Sequence, residues 1–477
     1  MGDKQGFPMA SVTCAAIDLG ATSGRVIVGV WGRRPELTEV HRFTNTFRSL
    51  GRHEYWDLPG LWAEVQTGLR KAKERFPQLA SVGVDTWGCD HVLLNDAGRL
   101  VFPTHAYRDG RTQAGLKALA EHGLERIYAA TGVPNVFYNS SLQLAEAVAS
   151  CPAITDLATR CLFLPDYFNY LLSGRMENEL SIASTTQLLD VHGSEWSREA
   201  LEFFHIPPQW FTKPVKANTR LGPVRGLPEL KGVQVIAVPG HDTACAYDAM
   251  PADPAGGDLY ISSGTWSLVG FESDQPVLGA EALRARVANE RTGTGGYRPL
   301  TNVIGLWLLE ETLKDFGKRP RSAAEWAALI TAAEKLPAPA SLLDVSDPVF
   351  VKPESMRAAI DHQLKKQKGR PPKDLAGYMR LICESLGRGH ANAMRAFERL
   401  AGRKFRRILM VGGGAKNRLL CQATANAAGV PVSSFALEGT ALGNLASQWM
   451  ALKVVKNRAE FRRHLADGLK SHIYLPR

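Results

Sequence analysis

The sequence predicts an α/β protein of two domains. Three observations carry that expectation: the length, the alternation of strand and helix patterns, and the return of one turn theme halfway along the chain. At 477 residues the chain exceeds a single compact core, since domains run to roughly 100–200 residues. A buried-strand pattern at Cys14–Asp18 runs into the small-residue turn Gly20-Ala21-Thr22-Ser23-Gly24. Strands follow at Arg25–Val30 and Leu37–Phe43, making a meander. Leu61, Trp62, Val65 and Leu69 then recur at helical spacing within Pro59–Arg75, and a strand at Ser81–Asp85 follows.

The middle, from about Gln113 to Arg220, reads as helix broken by Pro and Gly. Val233–Val238 is a short strand ending in Pro239-Gly240-His241-Asp242, and a small-residue helix spans Thr243–Tyr247. Pro251–Gly257 carries the composition of a boundary, placing the domains at 1–250 and 251–477. Past it the opening theme returns as strand Leu259–Ser263, turn Gly264-Thr265 and strand Trp266–Phe271. Ile17-Asp18-Leu19-Gly20 aligns with Ile261-Ser262-Ser263-Gly264, about half a chain away. A long helix over Asp374–Ala401 has Tyr378, Leu381, Ile382, Leu386, Met394 and Phe397 as its apolar stripe. Strand Arg407–Val411, the run Gly412-Gly413-Gly414, a helix from about Asn417, strand Val430–Ser433 and helix Thr440–Leu452 complete the pattern. Lys365–Lys373 reads as a solvated loop.

Composition narrows the function classes. Lys and Arg exceed Asp and Glu by 57 to 47, a net +10, and the chain is 22% charged and 45% hydrophobic. That mixture is globular. No apolar run reaches the ~18 residues of a membrane span. Met1–Ala10 holds Asp3 and Lys4 and no long apolar stretch, which argues against a signal peptide. The seven cysteines are scattered without a Cys-x-x-Cys pair, as expected of reduced cytoplasmic thiols. The basic residues are dispersed, so small anionic ligands fit the charge better than nucleic acid; neither nucleic acid nor membrane is expected as a partner.

Three turns carry chemistry. Asp18-Leu19-Gly20-Ala21-Thr22-Ser23-Gly24-Arg25 has the makings of a phosphate cradle: glycines admit an anion to the backbone, hydroxyls donate, and Arg25 supplies a cation. Asp18 at the strand end suits a hydrated divalent ion. An ordinary hairpin with a buried Asp fits the same residues. Ser262-Ser263-Gly264-Thr265 is a second such turn, and Gly412-Gly413-Gly414 lies between strand and helix, where an anionic or flat group can approach. No Gly-x-Gly-x-x-Gly order and no Walker-type loop occurs, and His-Glu-x-x-His and Gly-x-Ser-x-Gly are absent. In Gly240-His241-Asp242-Thr243 the carboxylate of Asp242 can take a proton from a substrate hydroxyl, or can cap the helix that follows.

These segments together resemble the FGGY-type carbohydrate kinases, within the superfamily that also holds Hsp70 and actin. The resemblance runs from about Ala15 to Leu452. It is carried by Asp18–Arg25, Val84-Asp85-Thr86-Trp87-Gly88-Cys89-Asp90, Ala106–Asp109, Leu164–Phe168, Thr185–Gln187, His241–Thr243, Ser262–Gly270, Asn302–Leu309, Val411–Gly414 and Leu442–Asn444. It implies two ribonuclease H-like domains with a cleft between them, the first for the sugar and the base, the second for the nucleotide. It implies ATP and Mg²⁺ as cofactors, with the C1 hydroxyl of a ketohexose as acceptor: L-rhamnulose first, L-fuculose or a pentulose as alternatives. An actin- or Hsp70-like ATPase with protein partners is the reading from another class. By the same resemblance Ala21, Thr22, Ser23, Gly24, Arg25, Thr265, Glu310 and Gly413 contact ATP. Gly88, His241, Asp242, Thr243 and Asn302 surround the sugar, Asp242 is the base, and Asp18 holds Mg²⁺ through water. Two positions depart from the matching branch of the family: Asn289-Glu290-Arg291-Thr292 stands for Asn-Glu-Gly-Gly, and Glu310 stands for Gln. A carboxylate near phosphates repels them unless a cation intervenes.

Overall fold

The computed structural model describes residues 11–435 and 438–477, so the expectation for Met1–Ala10 lies outside the described residues. The chain divides into two compact units. The first comprises 1–251, 272–299 and 438–468; the second comprises 252–271, 300–437 and 469–477. One crossing between the units lies at 251. However, 272–299 and 438–468 return to the first unit, so the chain crosses more often than a single division into 1–250 and 251–477 predicts.

The first unit is built on a six-stranded mixed sheet. Its order is Glu36–Thr44, Ser23–Val30, Thr13–Leu19, Ser81–Thr86, Gln234–Ala237, Thr219–Pro223. The pairings run antiparallel, antiparallel, parallel, parallel, antiparallel. Thr13–Leu19 is buried at every residue, which explains its unbroken small and apolar run. Helices Leu58–Arg75 and Gly439–Ala451 pack against it. Helix Leu58–Arg75 starts where Asp57 accepts the Gly60 N–H at 2.9 Å, with Pro59 in the first turn, and ends with Lys73 and Arg75 on its negative pole. Helix Gly439–Ala451 approaches closely because its residues are small: a Cβ on Gly443 would overlap the Cys245 carbonyl of helix Asp242–Ala249. Gln448 of the same helix donates to the Ala15 carbonyl and accepts from Ser81 Oγ. The helical middle forms its own cluster around Ile127, Leu144, Phe163, Leu188 and Trp210.

The second unit repeats the scheme. The second sheet has seven strands: Ala288–Arg291 at one edge, forming a hairpin with Tyr297–Ile304, then Trp266–Gly270, Asp258–Ser263, Arg407–Val411, Val432–Phe435 and Ser471–Tyr474; the last six repeat the first sheet's sequence of pairing directions. The two hairpins aligned in the sequence, at Ile17 and Ile261, therefore hold equivalent places in two sheets of one topology. Helix Leu375–Ala401 buries the expected stripe, is capped by Asp374 on the Gly377 N–H at 2.8 Å, and stops at Gly402 in the left-handed region. Helix Met356–Lys366 takes up the start of the expected Lys365–Lys373 loop. All seven cysteines are free thiols. Among the described residues no helix is long and apolar enough to cross a membrane.

Candidate active site

In the first unit the parallel strands end side by side, where open α/β sheets bind ligands. Asp18 pairs with Asp85 across the sheet, and the Thr86 N–H donates to the Gly240 carbonyl at 2.9 Å. Asp18, Trp87–Gly88 and His241–Asp242 therefore lie at one edge. The turn after Asp18 is tied shut by the Gly20 N–H on the Ser23 carbonyl, and Asn45 holds it through the Gly20 and Thr22 carbonyls. Thr22 is exposed and Gly24 is buried against the Phe43 ring.

Arg25, expected on phosphate, ion-pairs with Asp18 and reaches Glu438 at 2.6 Å. Burial raises the proton affinity of Asp18; Arg25 opposes this and Asp242 adds to it. Asp85 is fully buried and pushed well above the usual carboxylate range by burial and by the charge of Asp18. Asn444 donates to one of its oxygens at 2.7 Å, and the other has no hydrogen-bond partner among the described residues. Rising pH strips the proton from the unfolded chain before the folded one, so Asp85 costs stability as pH climbs above the ordinary carboxylate range. Asp85→Asn keeps the Asn444 bond and removes that cost. The melting temperature of the variant is expected to fall less than that of the native chain between weakly acid and neutral pH, as thermal melts will show.

Among the described residues no three His, Cys, Asp or Glu side chains converge as metal ligands. The residues fit a hydrated ion held by Asp18, whose neighbouring carboxylates a cation would relieve, and do not fit a stripped one.

The sugar-side residues meet. A Cβ placed on Gly88 would lie 3.5 Å from His241 Nε2 and 3.6 Å from Thr185 Oγ1, so the glycine leaves a space rimmed by two hydrogen-bonding groups. Cys89, next in the chain, sits at φ +79°, an uncommon place for a side chain. Asp90 pins the loop from below by accepting Trp56 Nε1 at 2.6 Å and Trp87 Nε1 at 2.8 Å. Burial, partly offset by these donors, pushes Asp90 up to about 6. Glu179 holds the other rim, accepting the Gly240 N–H at 2.8 Å.

Asp242 opens helix Asp242–Ala249, whose capping position falls to His241. Its carboxylate accepts the neighbouring Thr243 hydroxyl at 3.1 Å rather than a helix N–H, which corrects the capping alternative. The side chain is 32% exposed, enough to reach a substrate. His241 Nε2 stands 3.4 Å from Asp242 Oδ1.

The other expected residues belong to the second unit, where three turns pack together. Gly412, at φ +85°, lies so close that a Cβ would stand 2.5 Å from the Ser263 carbonyl. The Leu306 N–H donates to the Gly264 carbonyl at 2.8 Å, and Gly413 lies open beside Leu306. Thr265 and Gly413 are exposed. The triple glycine does not open a helix directly. A 3₁₀ turn at Gly413–Lys416 intervenes, and Asn417 caps helix Arg418–Ala428 on the N–H groups of Leu419 and Leu420. Glu310, one turn into helix Trp307–Asp315, pairs with Arg319 at 3.0 Å, so a base does offset this carboxylate. Asn302 is exposed on its strand opposite Leu268. The sequence assigns no role to Glu290, Arg298, Glu438 or Asn444, although Glu290 lies in the departing Asn289–Thr292 segment and Asn444 in the resembling segment Leu442–Asn444.

Comparison with known proteins shows the family and the fold. Residues 13–247 match the N-terminal domain of the FGGY family of carbohydrate kinases, and residues 259–452 match its C-terminal domain. A rhamnulokinase of Klebsiella pneumoniae subsp. pneumoniae is 37% identical over 455 residues, covering 94% of this chain and 92% of that protein. Among solved structures, a xyloylose kinase from Brucella ovis superposes with a TM-score of 0.80 at 16% identity, covering 98% and 95% of the two chains. Plasmodium falciparum glycerol kinase with ADP superposes at 0.78 and 14% identity, covering 98% and 94%.

Proposed function

Because the chain belongs to the FGGY family of carbohydrate kinases, and so is an ATP-dependent sugar phosphotransferase, we propose that its acceptor is the C1 hydroxyl of L-rhamnulose. The observation that carries the reading is the space over Gly88, rimmed by His241 Nε2 and Thr185 Oγ1 and adjoining the part-exposed carboxylate of Asp242. His241 and Thr185 offer the sugar directional hydrogen bonds, which discriminate hydroxyl stereochemistry strongly. Thr243 lies beside the base, and Asn302 adds a further amide to the sugar. Asp242 takes the proton from the C1 hydroxyl. The freed oxygen bonds to the γ-phosphorus, and the bond to ADP breaks. Such transfer needs positioning and charge neutralisation more than covalent chemistry.

The turn Ala21–Arg25 and the exposed Thr265 contact phosphates, Gly413 lies against the nucleoside, and Glu310 touches ATP with its charge offset by Arg319. Asp18 holds a hydrated Mg²⁺, which when bound supplies positive charge to the phosphates. In a panel of L-rhamnulose, L-fuculose, D-xylulose and D-ribulose read by coupled ADP release, L-rhamnulose is expected to lead in kcat/KM by at least about tenfold. A higher value for another ketose reassigns the substrate. Nucleotide turnover that no sugar accelerates defeats the reading.

A further inference from the structure

We propose that Arg298, anchored by Glu290, holds His241 as a neutral ring protonated on Nε2, and thereby keeps Asp242 basic. This rests on the reading of Asp242 as the proton acceptor. His241 Nδ1 lies 2.7 Å from Arg298 Nη2 and 3.0 Å from Glu290 Oε2. A guanidinium can only donate. A bare Nδ1 accepts its N–H, whereas a protonated Nδ1 would set two hydrogens against each other. Glu290 Oε2 could also accept from Nδ1, but its ion pair with Arg298 holds Nη2 against the ring at 2.7 Å, the shorter of the two contacts and the one that only a bare Nδ1 satisfies. Burial would raise Glu290, but the Arg298 charge, joined by the adjacent His241 ring, outweighs it and holds the carboxyl at about 2. Arg298 is completely buried, and its Nε donates to the Arg291 carbonyl at 3.0 Å. The guanidinium is thus fixed in place.

With Nδ1 satisfied from behind, the ring proton sits on Nε2. That atom faces Asp242 Oδ1 at 3.4 Å and the space over Gly88. The groups facing the ring are Glu290 and Arg298 from one hairpin, Asp242 from the following helix, and the hydroxyl of Thr185. Glu179 stands behind at Gly240. A second proton on the ring would place a full positive charge beside Asp242, lowering its proton affinity and weakening it as a base. The return of 272–299 to the first unit brings Glu290 and Arg298 to this position.

The test labels the histidines with ¹⁵N and reads ring nitrogens by long-range correlation at about pH 7.5, without sugar or nucleotide; His241→Gln assigns the signal. A bare Nδ1 and a protonated Nε2 are expected in the native chain. An imidazolium or the Nδ1–H tautomer overturns the proposal. In Arg298→Met, Glu290 faces Nδ1 alone, so the ring is expected to become an imidazolium. Sugar-stimulated kcat is then expected to fall about tenfold or more, with KM for ATP unchanged. Arg298→Lys, which still donates, is expected to restore the neutral ring and most of kcat, separating this role from a merely structural one. A native-like ring state or native kcat in folded Arg298→Met overturns the proposal. If Arg298→Met does not fold, the native and Arg298→Lys spectra decide it. The ring state is measured without substrate. Native protein with the expected ring but no sugar-stimulated ADP release would therefore defeat the functional reading while leaving the ring assignment standing.

Discussion

Asp242→Asn is expected to lower sugar phosphorylation by about a thousandfold while ATP still binds, because an amide fills the same volume but cannot take up the proton. The structure separates this effect from unfolding. Asp242 accepts the adjacent Thr243 hydroxyl at 3.1 Å, has His241 Nε2 at 3.4 Å, and caps no helix N–H among the described residues. An asparagine oxygen accepts that hydroxyl equally well, so the melting temperature is expected to stay within a degree or two, as for surface substitutions worth about 0.5 kcal/mol or less. Coupled ADP release measures the first effect, and calorimetric titration with ATP measures the second. Retention of a tenth or more of native kcat would remove Asp242 from the role of base. Lost nucleotide affinity or a collapsed melting temperature would return it to a structural role.

The second large effect is one of packing. Gly443→Val is expected to cost about 3 kcal/mol or more, because the added carbons have nowhere to go. A Cβ at Gly443 overlaps the carbonyl of Cys245, and a backbone atom within a helix cannot swing aside like a flexible side chain. Helices Gly439–Ala451 and Asp242–Ala249 must part. Asp242 is the first residue of the second helix, and Asn444, next to Gly443, holds Asp85, so kcat falls as well as stability. Thermal melts are expected to show a drop on the order of 5–10 °C. Gly110→Ala is the control, since a Cβ there meets nothing within 4 Å. Equal melting temperatures for Gly443→Val and the native chain would show that the two helices are free to separate.

Much of the fold was legible because it is local. Alternation and helical spacing placed the strand before Asp18, the helix from Leu58 and the long helix with its stripe to within a residue or two. Turn chemistry marked Gly20–Gly24, Gly264-Thr265 and the triple glycine, and the recurrence of one hairpin anticipated two sheets of the same topology. His241–Thr243 stood out by its place after a strand, whereas Gly88 entered only through the family resemblance.

Tertiary structure decided the pairings. Arg298 lies 57 positions from His241, Asn444 lies 359 from Asp85, and Glu438 lies 413 from Arg25. No periodicity or turn preference links such residues. Each pair exists because a late segment folds back onto the first unit; Arg298 and Asn444 are buried there and must find partners, while Glu438 meets Arg25 from an exposed position. The same distinction applies to Asp242. Its place after a strand is written in the chain, but whether it caps a helix or stands open as a base depends on backbone directions that only the packed strand ends set.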